Sequence, residues 1–302
     1  MPKTIDLLCL GNPCADIVIG AERVPQWDDK CQGVPLGTFA GGAEANVACA
    51  ASRLGWRTAA FGEVGDDANG QFLTDGFTAF GVSTRWLRRR RQSASAMTVA
   101  MVSPQGERSI VWVPMPAHPR PPDSLPQALQ QSRIVYTMPY DADELACVYQ
   151  AAQTAQAEVA IDVEREAGRH HGLLERLLTL CDIAFMNETG FTAAMGRPPT
   201  VEALAPLLAA GRAHTIAVTL GSRGAIAIDR QGTACAPAHP VQMVDATGAG
   251  DCFNAAFLVA RGSAMGLQQC LRFACAAASR AVSAVGARSA LPNLEEVQAL
   301  LA

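Results

Sequence analysis

Short apolar runs recur along the chain at Asp6 to Leu10, Thr58 to Gly62, Ile134 to Met138, Val159 to Asp162, Ile183 to Met186 and Thr215 to Leu220. Each is long enough for a strand buried on both faces and too short for a stable helix. Between them apolar positions recur at helical spacing, as in Ala43 to Leu54, Asn69 to Phe80, Asp143 to Gln156 and Val201 to Ala210. That alternation predicts βαβ units, in which helices join parallel strands and cover both faces of one sheet.

Two stretches, 16–39 and 95–113, break the rhythm. Within the second, Met97 to Val102, the turn Ser103-Pro104-Gln105-Gly106 and Arg108 to Val113 read as a hairpin, and together the two stretches predict a small accessory sheet. A further hairpin, Ala225 to Asp229 with Thr233 to Ala236, precedes two helical segments, Gly250 to Arg261 and Leu267 to Val285. No internal repeat, low-complexity tract or linker divides the chain, so residues 1–302 are read as a single domain with the accessory sheet inserted in it.

Composition narrows the function classes. A formal charge of -4 gives no general attraction for nucleic acid or an anionic membrane, so any anion site must be local. The N-terminus has no basic segment followed by a long apolar one, and no run approaches the ~18 apolar residues of a membrane span, so neither export nor membrane insertion is expected. The 10 cysteines include no Cys-x-x-Cys pair, and Cys9, Cys49, Cys181, Cys252, Cys270 and Cys275 lie in apolar runs. They read as reduced, buried hydrophobes in a cytoplasmic protein. The basic run Arg88 to Arg91, with Arg85 and Trp86 before it, reads as a solvated strand edge rather than a nucleic-acid site. His170-His171 lacks partners at zinc-site spacing and reads as the start of a surface helix.

Phosphate chemistry has local signatures. Neither Gly-x-x-x-x-Gly-Lys-Ser/Thr nor Gly-x-Gly-x-x-Gly after the first strand occurs. Gly248-Ala249-Gly250-Asp251 instead stands where a loop runs into a helix carrying Phe253, Phe257 and Ala260. Small residues admit a ligand close to the backbone, and the amides of a first helical turn favour anionic oxygen. An aspartate there can accept a hydroxyl proton, or it can be an ordinary acid at a helix N-terminus. The tetrapeptide alone leaves both readings open.

Asp245 to Leu258 resembles the second signature of the PfkB-type, ribokinase-like carbohydrate kinases, with Ala246 where relatives have a hydroxyl residue or proline. Gly41-Gly42-Ala43-Glu44-Ala45-Asn46-Val47-Ala48, followed by Gly55 and Gly65, resembles the first signature, with Glu44 in place of a small residue. The resemblance spans nearly the whole chain. It implies a three-layer α/β/α ribokinase-like fold around a mostly parallel sheet, with a small β-sheet lid formed by about 16–39 and 95–113. It also implies ATP-dependent phosphorylation of a sugar or sugar-like hydroxyl, with Mg²⁺ and in many relatives K⁺, and a homodimer formed through the lid. A nucleoside kinase, or a non-catalytic sugar or nucleotide sensor with the same fold, are the alternatives.

The same resemblance suggests residue roles. Asp251 is the general base, and Gly248, Ala249 and Gly250 form an anion hole. Asp16, Gly41, Gly42 and Asn46 bind substrate; apart from the resemblance, Arg108 is a further candidate from its place in the accessory hairpin. Asn187, Thr219, Gly221, Gly224 and Gly286 line the nucleotide. Asp245 and Thr247 flank a monovalent cation, and Ala290 stands where some relatives have a hydroxyl ligand for it. Gly190 replaces the glutamate of an expected Asn-x-x-Glu, leaving Glu188 to meet Mg²⁺ through water. Ala160 to Arg165 resembles the corresponding strand in kinases that act on ketoses.

Overall fold

The computed structural model describes residues 3–116, 124–165, 170 and 172–302; His171 therefore lies outside the described residues. The chain opens with β1 (Ile5–Leu10), β2 (Cys14–Ala21), β3 (Gly33–Gly41) and α1 (Ala43–Arg53). β4 (Thr58–Gly65), α2 (Ala68–Ala79), β5 (Ser83–Arg90), β6 (Met97–Val102) and β7 (Arg108–Val113) follow. Next come α3 (Ser124–Gln130), β8 (Ser132–Thr137), α4 (Ala142–Thr154), β9 (Glu158–Val163) and α5 (Leu173–Leu178). Then β10 (Ile183–Asn187), α6 (Glu188–Met195), α7 (Val201–Ala210), β11 (Thr215–Thr219), β12 (Ala225–Asp229) and β13 (Thr233–Ala236) complete the strands. α8 (Ala249–Gly262), α9 (Leu267–Ala281) and α10 (Leu294–Leu301) close the chain.

The main sheet has 9 strands in the order β13-β12-β11-β10-β9-β8-β1-β4-β5. It is parallel from β11 to β5, with β12 and β13 added antiparallel at one edge. Side chains alternate across it as a two-residue period requires. Leu7, Cys9, Tyr136 and Phe185 face α1, α8 and α9, while Leu8, Leu10, Val135 and Ile161 face α4, α5 and α7. Strand order reverses at β1, which lies between β8 and β4, and in open parallel sheets the crevice at such a reversal is the usual ligand site.

The second sheet has 4 strands in the order β3-β2-β6-β7. The predicted hairpin forms with the expected boundaries, Val102 opposite Arg108 and Met97 opposite Val113. β2 and β6 pair in parallel, which joins the two irregular stretches of sequence into one layer. The first of these stretches is wider in the structure than in the pattern, since β2 starts at Cys14 and β3 runs to Gly41.

Two sequence expectations need correction. The helix expected from Leu267 to Val285 stops at Ala281, because the Val282 carbonyl accepts the amides of Val244 and Asp245 and is turned toward that loop. The arginine run does lie on an edge strand, β5, but Arg88 and Arg90 turn inward onto Glu63 of β4 instead of into solvent. Glu63 is buried, and two guanidinium partners compensate the desolvation of its carboxylate.

α8 is fixed to the sheet by aromatic contacts. Phe257 meets Phe185 edge-on at 5.5 Å and stacks with Phe253 at 6.2 Å, and Phe185 in turn meets Tyr136 at 6.5 Å. Phe257→Ala should therefore destabilise the fold by about 3–5 kcal/mol, the usual cost of removing a fully buried phenyl group. Urea denaturation of the variant against the parent measures it, and a loss below about 1 kcal/mol would mean the cluster does not anchor α8.

Candidate active site

The site is assembled where α1, α8 and the small sheet meet beyond the C-terminal end of β1. Asp16 lies on β2 opposite Thr98 of β6, whose hydroxyl donates to Asp16 Oδ1 at 2.6 Å. The other Asp16 oxygen rests on the backbone of Gly41, where a Cβ would stand 2.0 Å from Oδ2. A side chain at position 41 would expel the carboxylate, so glycine there is a requirement of packing. Gly42, at φ 93, caps α1, and its carbonyl accepts the amide of Asn46 at 2.9 Å.

Gly248, at φ 79, occupies the N-cap of α8, and a Cβ there would press on Ala287 at 2.7–2.9 Å. The turn brings Asp251 into the first turn of α8, opposite Asn46 of α1, and Asn46 Nδ2 donates to Asp251 Oδ2 at 2.8 Å. The Ala249 amide donates back to the Ala246 carbonyl at 3.2 Å, so the three-amide anion hole expected from Gly248 to Gly250 is reduced by one. In front of Gly250 there is open space, with no atom within 4 Å of where a Cβ would stand. One turn along α8, Asn254 Nδ2 donates to Asp162 Oδ2 at 2.9 Å and to the Tyr136 hydroxyl at 3.0 Å.

Carboxylates crowd this region, and burial dominates their acidity. Burial pushes Asp251 up to about 7, with the Asn46 hydrogen bond pulling the other way. Burial raises Glu44 to about 7, and burial together with the Asp251 charge raises Asp162 to about 8. Asp245 moves in the opposite direction, held well below the usual carboxylate range despite partial burial by donors from Gly286, Thr247 and Arg108.

Arg108 does not meet Asp16, Asn46 or the other proposed substrate ligands in this structure. It reaches from β7 to Asp245 Oδ1 and Thr247 Oγ1, each at 2.6 Å. Asp245 and Thr247, expected beside a monovalent cation, thus face a guanidinium. Asp245 Oδ2 accepts the Gly286 amide at 2.9 Å, tying the loop before α8 to the loop after α9.

The remaining expected residues lie at the C-terminal ends of β10 and β11, where Asn187 and Thr219 are neighbours in register. Asn187 caps α6 by accepting the Gly190 amide at 2.7 Å. A Cβ at Gly190 would stand 2.9 Å from the Val163 carbonyl, so close packing of α6 on β9 accounts for glycine at that position. Glu188 pairs with Arg223 at 2.5 Å. Gly221, at φ 60, opens a short 3₁₀ turn that ends before Gly224, and space in front of Gly221 is clear to 4 Å.

Sequence reasoning missed Arg288, Thr98 and Asp162 as parts of this cluster. Arg288 follows Gly286-Ala287 as a lone charge in a loop without periodicity. Its one signal in the sequence is a cation set among small and apolar residues.

The sequence pattern of the pfkB family carbohydrate kinases matches residues 5–294. The chain belongs to that family. Ribokinase from Arabidopsis thaliana is 32% identical, covering 98% of this chain and 80% of its own. Ribokinase from Bacillus subtilis is 29% identical over 97% of this chain and 99% of its own. The structure of Arabidopsis thaliana ribokinase complexed with ribose and ATP superposes with a TM-score of 0.87 at 30% identity, covering 100% of this chain and 99% of that one. This pfkB family chain is accordingly a carbohydrate kinase with the ribokinase-like fold.

The raised carboxylates give the kinase a definite pH response. A carboxyl whose folded pKa lies above its unfolded value binds more protons when folded, so its contribution to stability is complete below the unfolded pKa and is lost as pH rises through the folded one. For Asp162 that window runs from its ordinary 3.8 to about 8. The unliganded protein is therefore expected to lose thermal stability between pH 5 and pH 8, and Asp162→Asn, which keeps an acceptor for Asn254, should flatten the decline. Parallel Tm curves for parent and variant over that range would show that Asp162 does not titrate within it.

Proposed function

We propose that the protein transfers the γ-phosphoryl group of ATP to a hydroxyl of a sugar or sugar-like molecule held by Asp16, Gly41, Gly42 and Asn46, with Asp251 as the general base. The observation that carries this reading is the Asn46 to Asp251 hydrogen bond, which leaves Asp251 Oδ1 for a substrate hydroxyl at the N-terminus of α8. A base with a pKa near working pH is suited to that step, because it is ionised often enough to accept and basic enough to take the proton. In a loose phosphoryl-transfer transition state the proton is needed late, while charge on the transferring oxygens must be met throughout. The amides of Gly248 and Gly250, at the positive end of α8, supply that stabilisation.

The nucleotide is proposed to lie along Asn187, Thr219, Gly221, Gly224 and Gly286. The clear space at Gly221 and Gly250 fits phosphate oxygens approaching bare backbone. Magnesium belongs to the proposal as part of the MgATP substrate, where it neutralises charge on the leaving ADP, and Glu188 is the carboxylate proposed to meet it through water. The small sheet acts as a lid that excludes water from the transfer step.

Asp251→Asn should keep sugar and ATP binding while kcat falls by about two to four decades. Coupled ADP release across ribose, ketoses and nucleosides measures it and also separates the readings. Turnover on free sugars supports the proposal, stronger turnover on nucleosides selects a nucleoside kinase, and binding without turnover on every compound selects a sensor.

The lid also supports a dimer. Val34 and Leu36 on β3 and Ile110, Val111 and Trp112 on β7 are exposed, and these two strands are the edges of the small sheet. Exposed apolar edges of that kind favour a second copy of the chain. Sedimentation velocity should give a dimer for the parent and a monomer for Ile110→Lys combined with Trp112→Glu; a monomeric parent would remove the lid interface.

A further inference from the structure

Arg288 is 9% exposed, an unusual position for a guanidinium, because burying that charge without compensation is costly. Its contacts are specific. Nε donates to Asn46 Oδ1 at 2.8 Å, and Nη2 donates to the Gly41 carbonyl at 2.9 Å. The guanidinium lies over the Phe77 ring, with Cζ 5.6 Å from its centre, and Nη1 has no hydrogen-bond partner. Burial pulls its pKa below the ordinary arginine value, but from so high a start that the group stays cationic.

The consequence falls on Asn46. A carboxamide has an accepting end and a donating end, and beside an ordinary neighbour either can be presented. A guanidinium has donors only, so it fixes the oxygen of Asn46 toward itself. The NH₂ end is thereby turned toward Asp251, where the 2.8 Å hydrogen bond is found. Asp251 receives a donor and not a second acceptor, with Arg288 providing a positive charge behind that donor.

We infer that Arg288 is a positioning residue for phosphoryl transfer: by locking the Asn46 carboxamide it holds Asp251 in the ionised, oriented state that accepts the substrate proton. The inference rests on Asp251 being the base. Other titratable groups near Asp251 come from other elements, namely Glu164 after β9, Asp162 on β9, Glu44 on α1, Cys9 on β1 and Tyr136 on β8, and burial holds Cys9 and Tyr136 in their neutral forms. Both the Asn46 hydrogen bond and the Arg288 charge favour the ionised carboxylate, whereas Glu164 opposes it. A residue serving only to glue the loop after α9 to α1 would not need to choose which end of Asn46 meets Asp251.

The test is the pH profile of kcat in Arg288→Gln and Arg288→Lys, each checked for a cooperative melt. Glutamine removes the charge and can accept as well as donate, so the acid limb should move upward by about one pH unit. Lysine keeps the charge and a donor and should return the limb most of the way to the parent position. Adding Asn46→Ala to Arg288→Gln should shift the limb by clearly less than the sum of the two single changes, because part of the arginine's effect passes through Asn46. An unmoved limb in Arg288→Gln, with only a lower Tm or a uniform fall in kcat, overturns the inference. So does a full shift with lysine, or additive shifts in the double variant. The underlying reading fails separately, through near-normal kcat in Asp251→Asn.

Discussion

The hydrogen bond from Asn46 to Asp251 joins residues 205 positions apart, and the arrangement of the site depends on it. Its two partners come from the first turns of α1 and α8, so it exists because these helices pack side by side over the same face of the main sheet. It carries a cost as well as a geometry. Asp251 is surrounded by protein and by other acids, and its pKa near 7 expresses how weakly this environment tolerates a charge. A carboxylate relaxed into solvent would ionise more readily and be a poorer proton acceptor.

The rest of the fold can be understood as holding that pair in place. Phe253 and Phe257 anchor α8 to the sheet, Asn254 joins it to Asp162 and Tyr136, and Gly248 allows the turn that starts the helix against Ala287. Around α1, Gly42 sets the start of the helix and Arg288 pins the Gly41 carbonyl. Buried carboxyl groups with raised pKa values collect in one place, as is common where a protein holds reactive groups.

The small sheet touches this apparatus from both of its edge strands: the Gly41 carbonyl at the end of β3 accepts from Arg288, and Arg108 of β7 pairs with Asp245 just ahead of α8. Motion of the sheet would therefore be felt at both ends of the site, around Asp16 and around Thr247 at the approach to α8. Arg108 is partly exposed, so its ion pair with Asp245 is open to competition from water and salt in a way that the buried Arg288 contacts are not.

Periodicity determined the βαβ units and the mostly parallel sheet, because a strand buried on both faces and a helix buried on one leave different spacings in the sequence, while the three layers and the lid followed from the family resemblance. The hairpins Met97 to Val113 and Ala225 to Ala236 were equally legible, since their turns are local. The glycine-rich blocks around Gly41 and Gly248 were visible as motifs, while the reason for each glycine was not. That reason is a neighbour distant in sequence, Asp16 for Gly41 and Ala287 for Gly248. Strand order, the inward turn of Arg88 and Arg90 onto Glu63, the end of α9 at Ala281 and the pairing of Arg108 with Asp245 were decided by tertiary packing. Arg288 is the clearest case. A single arginine in a loop carries no periodic or motif signal, and its relation to Asp251 comes into being only when α1, α8 and the loop after α9 enclose the same small volume.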